Sequence, residues 1–269
     1  YIVFSLFGVS FVTARLVSLL ALWLIMIMLY FIFSSRMTKL NALLSASMFG
    51  LCHTVLIYSR WASPVMLEAC FLTGFMYFYH LGNQRNSKYY YISGASLGIA
   101  IMAKLSALLF LLPLIIFIII QLLFNNLRLQ NLLKGITGFI IVVIPFLILF
   151  VLPSIEHYSV FFSQIGSEEI VSIFEIILSF ILSIKYFLLM KNPDTVLVMI
   201  GVIFYFTDLI FRFFRNGILN EIKNLSEIEL LSIVWIVGGV FALCINGELD
   251  QHRRQVHLLV PFFILAVSF

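Results

Sequence analysis

The sequence predicts an all-α, polytopic membrane bundle, and three observations carry that prediction. Several apolar runs approach or exceed about 18 residues, the length that marks a transmembrane helix. Only 10% of the 269 residues are charged, against about 25% in an ordinary soluble domain. The mean hydropathy is +1.14, with 63% hydrophobic residues. The runs are continuous rather than alternating, which argues against a β-barrel. Backbone groups in lipid must pair within their own segment, so the spans are helices.

Taken in order, the expected spans are 16–34, 40–58, 64–82, 89–103, 105–124, 135–153, 195–211, 229–246, and 258 onward. Arg15 opens the first span, and Pro64 suits the first turn of the third. The run from Tyr89 to Phe124 is broken only by Lys104. As one helix it would be about 54 Å long, against roughly 30 Å of hydrocarbon. The chain must therefore turn back near Lys104, because a charge at the bilayer centre costs about 2.5–3.5 kcal/mol. Lys104 is then either an interfacial anchor or part of a site. The chain begins at Tyr1 rather than Met and ends in VPFFILAVSF, inside an apolar run. It reads as a single integral-membrane domain, 1–269, truncated at both ends.

Charge orients the bundle. Arg36 and Lys39, Arg85 and Lys88, Arg128 and Lys134, and Arg212, Arg215 and Lys223 fall in alternate loops. The positive-inside rule assigns those loops to the cytoplasm. The opposite face carries Arg15, Arg60, Lys104, Glu156, His157, Glu168, Glu169, Lys191, Asp194, Glu248, Asp250, Arg253 and Arg254. Segment 170–190 is long enough to span. However, Ser172, Glu175, Ser179 and Ser183 form one polar helical stripe. The expectation is an amphipathic helix on the outer interface, with Lys185 snorkelling to headgroups. The net charge of +4 comes from dispersed basic residues, which suits membrane orientation rather than nucleic acid.

Three constellations on the outer face could carry chemistry. In YSRWASPVMLE, Arg60 ends one span and Glu68 lies about one turn inside the next. Lys104 sits at the same face. As a compact charge it could hold a phosphate or merely anchor the helix. In GELDQHRRQVHLLVP, a guanidinium fork from Arg253 or Arg254 suits a pair of phosphate oxygens, although alternating charge also fits an ordinary loop. Ionisable residues in or near spans are candidates by default. Asp208 stands one turn before Arg212, the order expected of a helical ion pair. His53 and His80 read as hydrogen-bonded packing residues. Cys52, Cys70 and Cys244 show no metal-ligand spacing, and adjacent Glu156 and His157 cannot share a helical face. No metal site is expected. A divalent cation remains an option beside a phosphate, and no motif calls for another cofactor. No Walker loop, HExxH or GxSxG occurs.

The segments ARLVSLLALWLIMIMLY, YSRWASPVMLEACF, YYYISGASLGIAIMAKLSALLFLLPL and RRQVHLLVPFFILA follow one another in a familiar order. This order resembles the integral-membrane GT-C glycosyltransferases of the protein O-mannosyltransferase and aminoarabinose-transferase type. The resemblance rests on five features: an Arg opening an early span, a Ser-Arg span end followed by an early acid, a G-x-x-x-G-x-A helix, a Lys-containing turn, and a late Arg-rich loop. It covers most of the chain in pieces. It implies a GT-C-like bundle in the plasma membrane with an extracytoplasmic active face. The implied reaction moves mannose or a similar sugar, with inversion, from a polyprenyl-phosphate donor to a protein, lipid or glycan acceptor. Arg60, Glu68 and Lys104 match the family's outer-face polar positions, and Arg253 or Arg254 matches the late loop. The family's general base, an Asp in the first outer loop, is expected upstream of Tyr1. The acid at Glu68 stands farther from its Arg than in commoner forms. A competing expectation is a secondary transporter or flippase for a lipid-linked or anionic solute. That function calls for midplane charges and related halves, whereas no repeat is evident and most charges sit near the faces.

Overall fold

The computed structural model describes residues 8–61, 64–124, 128–155, 193–245 and 256–268. Every regular element among them is helical. The helices are α1 (Phe11–Ser34), α2 (Lys39–Leu51), α3 (His53–Arg60), α4 (Val65–Gln84), α5 (Tyr89–Ala103), α6 (Leu111–Phe124), α7 (Leu129–Phe146), α8 (Pro193–Asn216), α9 (Ile218–Asn224), α10 (Glu227–Ile245) and α11 (Val256–Ser268).

Local chemistry explains the boundaries. Ser10 caps α1 by accepting from the Thr13 N–H at 3.1 Å, which satisfies one orphan donor of the first turn. Thr38 does the same for α2 through the Asn41 N–H. Pro64 precedes α4, and its carbonyl accepts the Glu68 N–H at 2.9 Å. Pro145 lies inside α7. The helix continues past it as a π turn over Leu147–Val151 and a 3-10 turn over Leu152–Ser154, a common response to a missing donor.

The expected spans fall on these helices, although α1 and α7 begin five and six residues earlier than expected and two spans are interrupted. The 40–58 span is broken at Cys52, where α2 and α3 meet at 59°. The 105–124 span begins as a 3-10 helix over Leu105–Phe110 before α6 proper. Among the described residues, three segments, Phe11–Ser34, Leu129–Ser154 and Val196–Asn216, are each long and apolar enough to cross a membrane, and the bent α2–α3 pair makes up to four. Helices α5, α6 and the end of α11 are apolar but shorter. The expected interfacial helix at 170–190, with Lys185, lies outside the described residues.

The helices pack in two rows. The first runs α7, α5, α4, α1, α2, and the second runs α6, α10, α11, α8, with α4 touching both α10 and α11. Aromatic contacts join the rows. Phe110 packs against Phe75 of α4 at 5.8 Å and against Trp235 of α10 at 4.3 Å between ring centres. Phe49 of α2 meets Phe263 of α11 at 5.5 Å. Trp235 is completely buried. Within the first row, α5 and α7 approach so closely that a Cβ on Gly94 would lie 1.8 Å from the Gly135 carbonyl oxygen. Small residues at a crossing allow this kind of backbone contact between membrane helices.

Large apolar side chains cover the outside, including Trp23, Phe31, Leu123, Ile141, Leu149, Phe204 and Phe211. In water such a surface would aggregate, whereas hydrocarbon solvates it. The chain is an integral membrane protein.

Candidate functional site

The α4–α5 pair builds the principal site. Glu68 occupies the first turn of α4, where the helix dipole favours an acid. Lys104 follows the last residue of α5, where the dipole favours a cation. The two helices are antiparallel neighbours, so these ends coincide. Ser93 of α5 fixes the packing by donating to the buried Phe75 carbonyl of α4 at 2.9 Å. The Lys104 ammonium then stands 3.3 Å from Glu68 Oε2. Glu68 is fully buried, while the Lys104 side chain is 22% exposed. A carboxylate taken out of water must be paired, and Lys104 supplies a cation.

The backbone breaks where the sequence places the turn. Lys104 is extended at φ −159°, ψ 127°, its N–H still bonded to the Ala100 carbonyl at 3.1 Å. The chain then returns through the 3-10 turn into α6. The return is complete, because Gln121 and Phe124 of α6 line the same cavity as Asn83 and Ser87, which precede α5.

Arg60 closes α3 at the Glu68–Lys104 end of the bundle and is exposed. It makes no ion pair among the described residues. Next to it, the Trp61 carbonyl accepts a hydrogen bond from Ser18 of α1 at 2.9 Å, which ties the α3–α4 turn to the first helix. Arg15 lies in α1 near this end and is also exposed. Arg253 and Arg254 lie outside the described residues. The structure therefore brings Glu68 and Lys104 into contact and leaves Arg60 at the same end of the bundle, in no ion pair among the described residues. No group of three or more His, Cys, Asp or Glu side chains converges among the described residues.

The opposite end collects the basic loops together with acids that sequence reasoning did not single out. Arg36 reaches Glu229 at 3.8 Å and also donates to Ser226. His80 faces Glu227 at 3.7 Å and shares a hydrogen bond with Ser35 at 3.3 Å. Arg212 joins both Asp208 at 2.8 Å and Glu221 at 2.7 Å. The Asp208 pairing is the one the helical spacing predicts. Glu221, Glu227 and Glu229 carry a readable signal in hindsight, since all three fall in first turns of helices α9 and α10. Glu227 and Glu229 find their ion-pair partners on helices far away in the chain, which no local spacing reveals, whereas Glu221 meets Arg212 and Asn216 of the preceding helix.

Comparison with known families matches residues 1–149 to the dolichyl-phosphate-mannose-protein mannosyltransferase family. The chain belongs to this family. The match spans more than half of the chain and covers α1 to α7, so it contains Arg60, Glu68 and Lys104. Comparisons with curated proteins and with solved structures give no match. Membership places the chain in a mannosyltransferase family that is named for its dolichyl-phosphate-mannose donor.

Proposed function

We propose that the protein transfers mannose or a closely similar sugar from a polyprenyl-phosphate donor to a hydroxyl, with a protein hydroxyl as the acceptor the family favours. The reaction takes place at the extracytoplasmic face and inverts the sugar's anomeric centre. The observation that carries this reading is the Glu68–Lys104 pair at the end of the bundle opposite the basic loops. The donor's prenyl chain stays in hydrocarbon while its phosphate rests at the interface, at the depth of the α4 and α5 ends.

Charge develops on the leaving phosphate as the sugar–phosphate bond breaks. A cation fixed in a low-dielectric setting stabilises that charge without reorganising. Lys104 supplies the cation, and buried Glu68 holds its ammonium in place. Exposed Arg60 adds a second cation near the same end, and Arg253 or Arg254 adds a bidentate one.

The test is transfer from a radiolabelled polyprenyl-phosphate mannose by the full-length protein. Hydrogen bonds to charged groups are worth about 1.5–3 kcal/mol, so Lys104→Ala should raise the donor KM about 10-fold or more. Arg60→Ala should raise it by less. Unchanged donor affinity in both variants would remove these residues from the site.

A further inference from the structure

A cavity of about 760 Å³ opens at the basic end of the bundle, remote from Glu68 and Lys104. Its lining includes Arg128, Lys134, Lys223, Gln121, Asn131 and Glu227. The charges do not balance. Three cations face one carboxylate, and that carboxylate already faces His80. None of the three cations makes an ion pair among the described residues, although Lys134 donates to Ser87 at 2.6 Å. Gln121 is only 2% exposed, and its Nε2 finds no hydrogen-bond partner among the described residues. A buried amide donor without an acceptor is costly, and an anionic oxygen in the cavity removes that cost.

The cavity has an apolar neighbour. A second space of about 200 Å³ lies between α4, α5, α6 and α7, its walls including Leu97, Leu111, Leu114, Ile118, Ile136 and Phe139. The two spaces share Asn131. From Asn131 to Phe139 the apolar slot follows α7 for about 12 Å at 1.5 Å per residue. A cationic chamber at the membrane face thus adjoins a narrow apolar slot within the bundle, with Asn131 lining both. That shape and charge fit an amphiphile with a phosphate head and a hydrocarbon tail.

We propose that this is a binding site for an anionic phospholipid. The phosphate would sit among Arg128, Lys134, Lys223 and Gln121, and the start of one acyl chain would lie in the slot between α4, α5, α6 and α7. Basic pockets between transmembrane helices on the cytoplasmic side characteristically hold such headgroups, and the cytoplasmic leaflet is the anionic one. The site is separate from the donor site: it lies at the other end of α5, and its ligand is a structural or regulatory lipid rather than a substrate.

Native mass spectrometry of the full-length protein in neutral detergent tests this. The probes are phosphatidylglycerol, phosphatidylcholine, inorganic phosphate and a polyprenyl phosphate. Each surface cation contributes about 5-fold to anionic-lipid affinity, so phosphatidylglycerol should bind well over 10-fold tighter than phosphatidylcholine. The paired change Arg128→Gln with Lys134→Gln should reduce that preference about 25-fold if the contributions add. Gly135 borders the slot, and a Cβ there would have the Tyr90 carbonyl oxygen as its nearest neighbour, at 3.8 Å. Gly135→Leu is therefore tolerated sterically at Cβ and fills the slot. It should weaken both phospholipids while leaving their ratio intact. The proposal is overturned if the wild type shows no preference for phosphatidylglycerol, or if the charge variant keeps the full preference. It is equally overturned if inorganic phosphate or the polyprenyl phosphate displaces the bound lipid at lower concentration than phosphatidylglycerol does. The wild-type comparison alone decides the matter if a variant fails to fold.

Discussion

Lys104 and Glu68 stand 3.3 Å apart but are unequally buried, the carboxylate fully and the lysine side chain only in part. The inner partner is therefore the more demanding one. Removing the ammonium leaves a carboxylate inside the bundle, whereas removing the carboxylate leaves an ammonium that can still reach the interface. Breaking a buried pair from one side costs about 3–5 kcal/mol, and removing both partners together costs much less. Lys104→Met should accordingly destabilise the purified protein by an amount near that range, Glu68→Gln by less, and the double variant by less than Lys104→Met alone. Thermal unfolding of the four proteins in one detergent measures the coupling. Additive effects of the two changes would mean that the pair contributes no interaction energy.

The α5–α7 crossing gives a second prediction, with its control built in. A Cβ on Gly94 would meet the Gly135 carbonyl oxygen at 1.8 Å, and one on Gly138 would meet the Tyr91 carbonyl oxygen at 1.9 Å. Both obstacles are backbone, so the helices must separate. Overpacking of this kind costs about 1–3 kcal/mol. Gly135 on the same helix has only the Tyr90 carbonyl at 3.8 Å, an ordinary contact. Gly94→Ala and Gly138→Ala should lower the melting temperature, while Gly135→Ala should leave it unchanged or raise it through better helix propensity. A loss in all three variants would point to glycine flexibility rather than close approach.

Length and a lone charge made the hairpin at Lys104 legible, because a largely apolar run of 36 residues exceeds one membrane crossing. The Asp208–Arg212 pair was legible for an equally local reason, since helical neighbours four apart must meet. The shared end of Glu68 and Lys104 followed from topology, but their contact did not. It depends on the rotation and register of α4 against α5, which pack through Ser93 and Phe75. The break at Cys52 was hidden because no proline marks it. The polar cavity was hidden as well. Arg128, Lys134 and Lys223 read as orientation signals, and nothing local shows that they meet Gln121.

The Arg212 network separates two carboxylates that look alike in sequence. Asp208 is 48% exposed and Glu221 only 3%, yet both contact the same guanidinium. Glu221 also accepts from Asn216 Nδ2 at 2.9 Å. An exposed helical pair is worth about 0.3–0.5 kcal/mol, whereas a buried, hydrogen-bonded partner is worth several times more when removed alone. Glu221→Ala should therefore destabilise the protein by more than about 2 kcal/mol, and Asp208→Ala by less than about 0.5 kcal/mol. Raising the salt concentration should narrow the Asp208 effect and leave the Glu221 effect in place, because screening acts on the exposed pair. Chemical unfolding at two ionic strengths checks both statements.

Orientation in the membrane is the last prediction, and it bears on both sites at once. Arg36, Lys39, Arg85, Lys88, Arg128, Lys134, Arg212, Arg215 and Lys223 belong to the end that holds the Arg36–Glu229 contact and the polar cavity. Arg15, Arg60 and Lys104 are the basic residues described at or toward the other end. A bias of this size in short loops retains the basic end on the cytoplasmic side during insertion. Cysteine labelling in sealed right-side-out vesicles reads the result directly. The native cysteines Cys52, Cys70 and Cys244 are first replaced by Ala, which suits the buried positions of Cys52 and Cys70. An impermeant maleimide should then label Arg60→Cys from outside. It should label Lys223→Cys only after the vesicles are opened. The reverse pattern would place Lys104 and Glu68 at the cytoplasmic face and move the polar cavity to the outer leaflet, which contradicts both functional assignments through a single measurement.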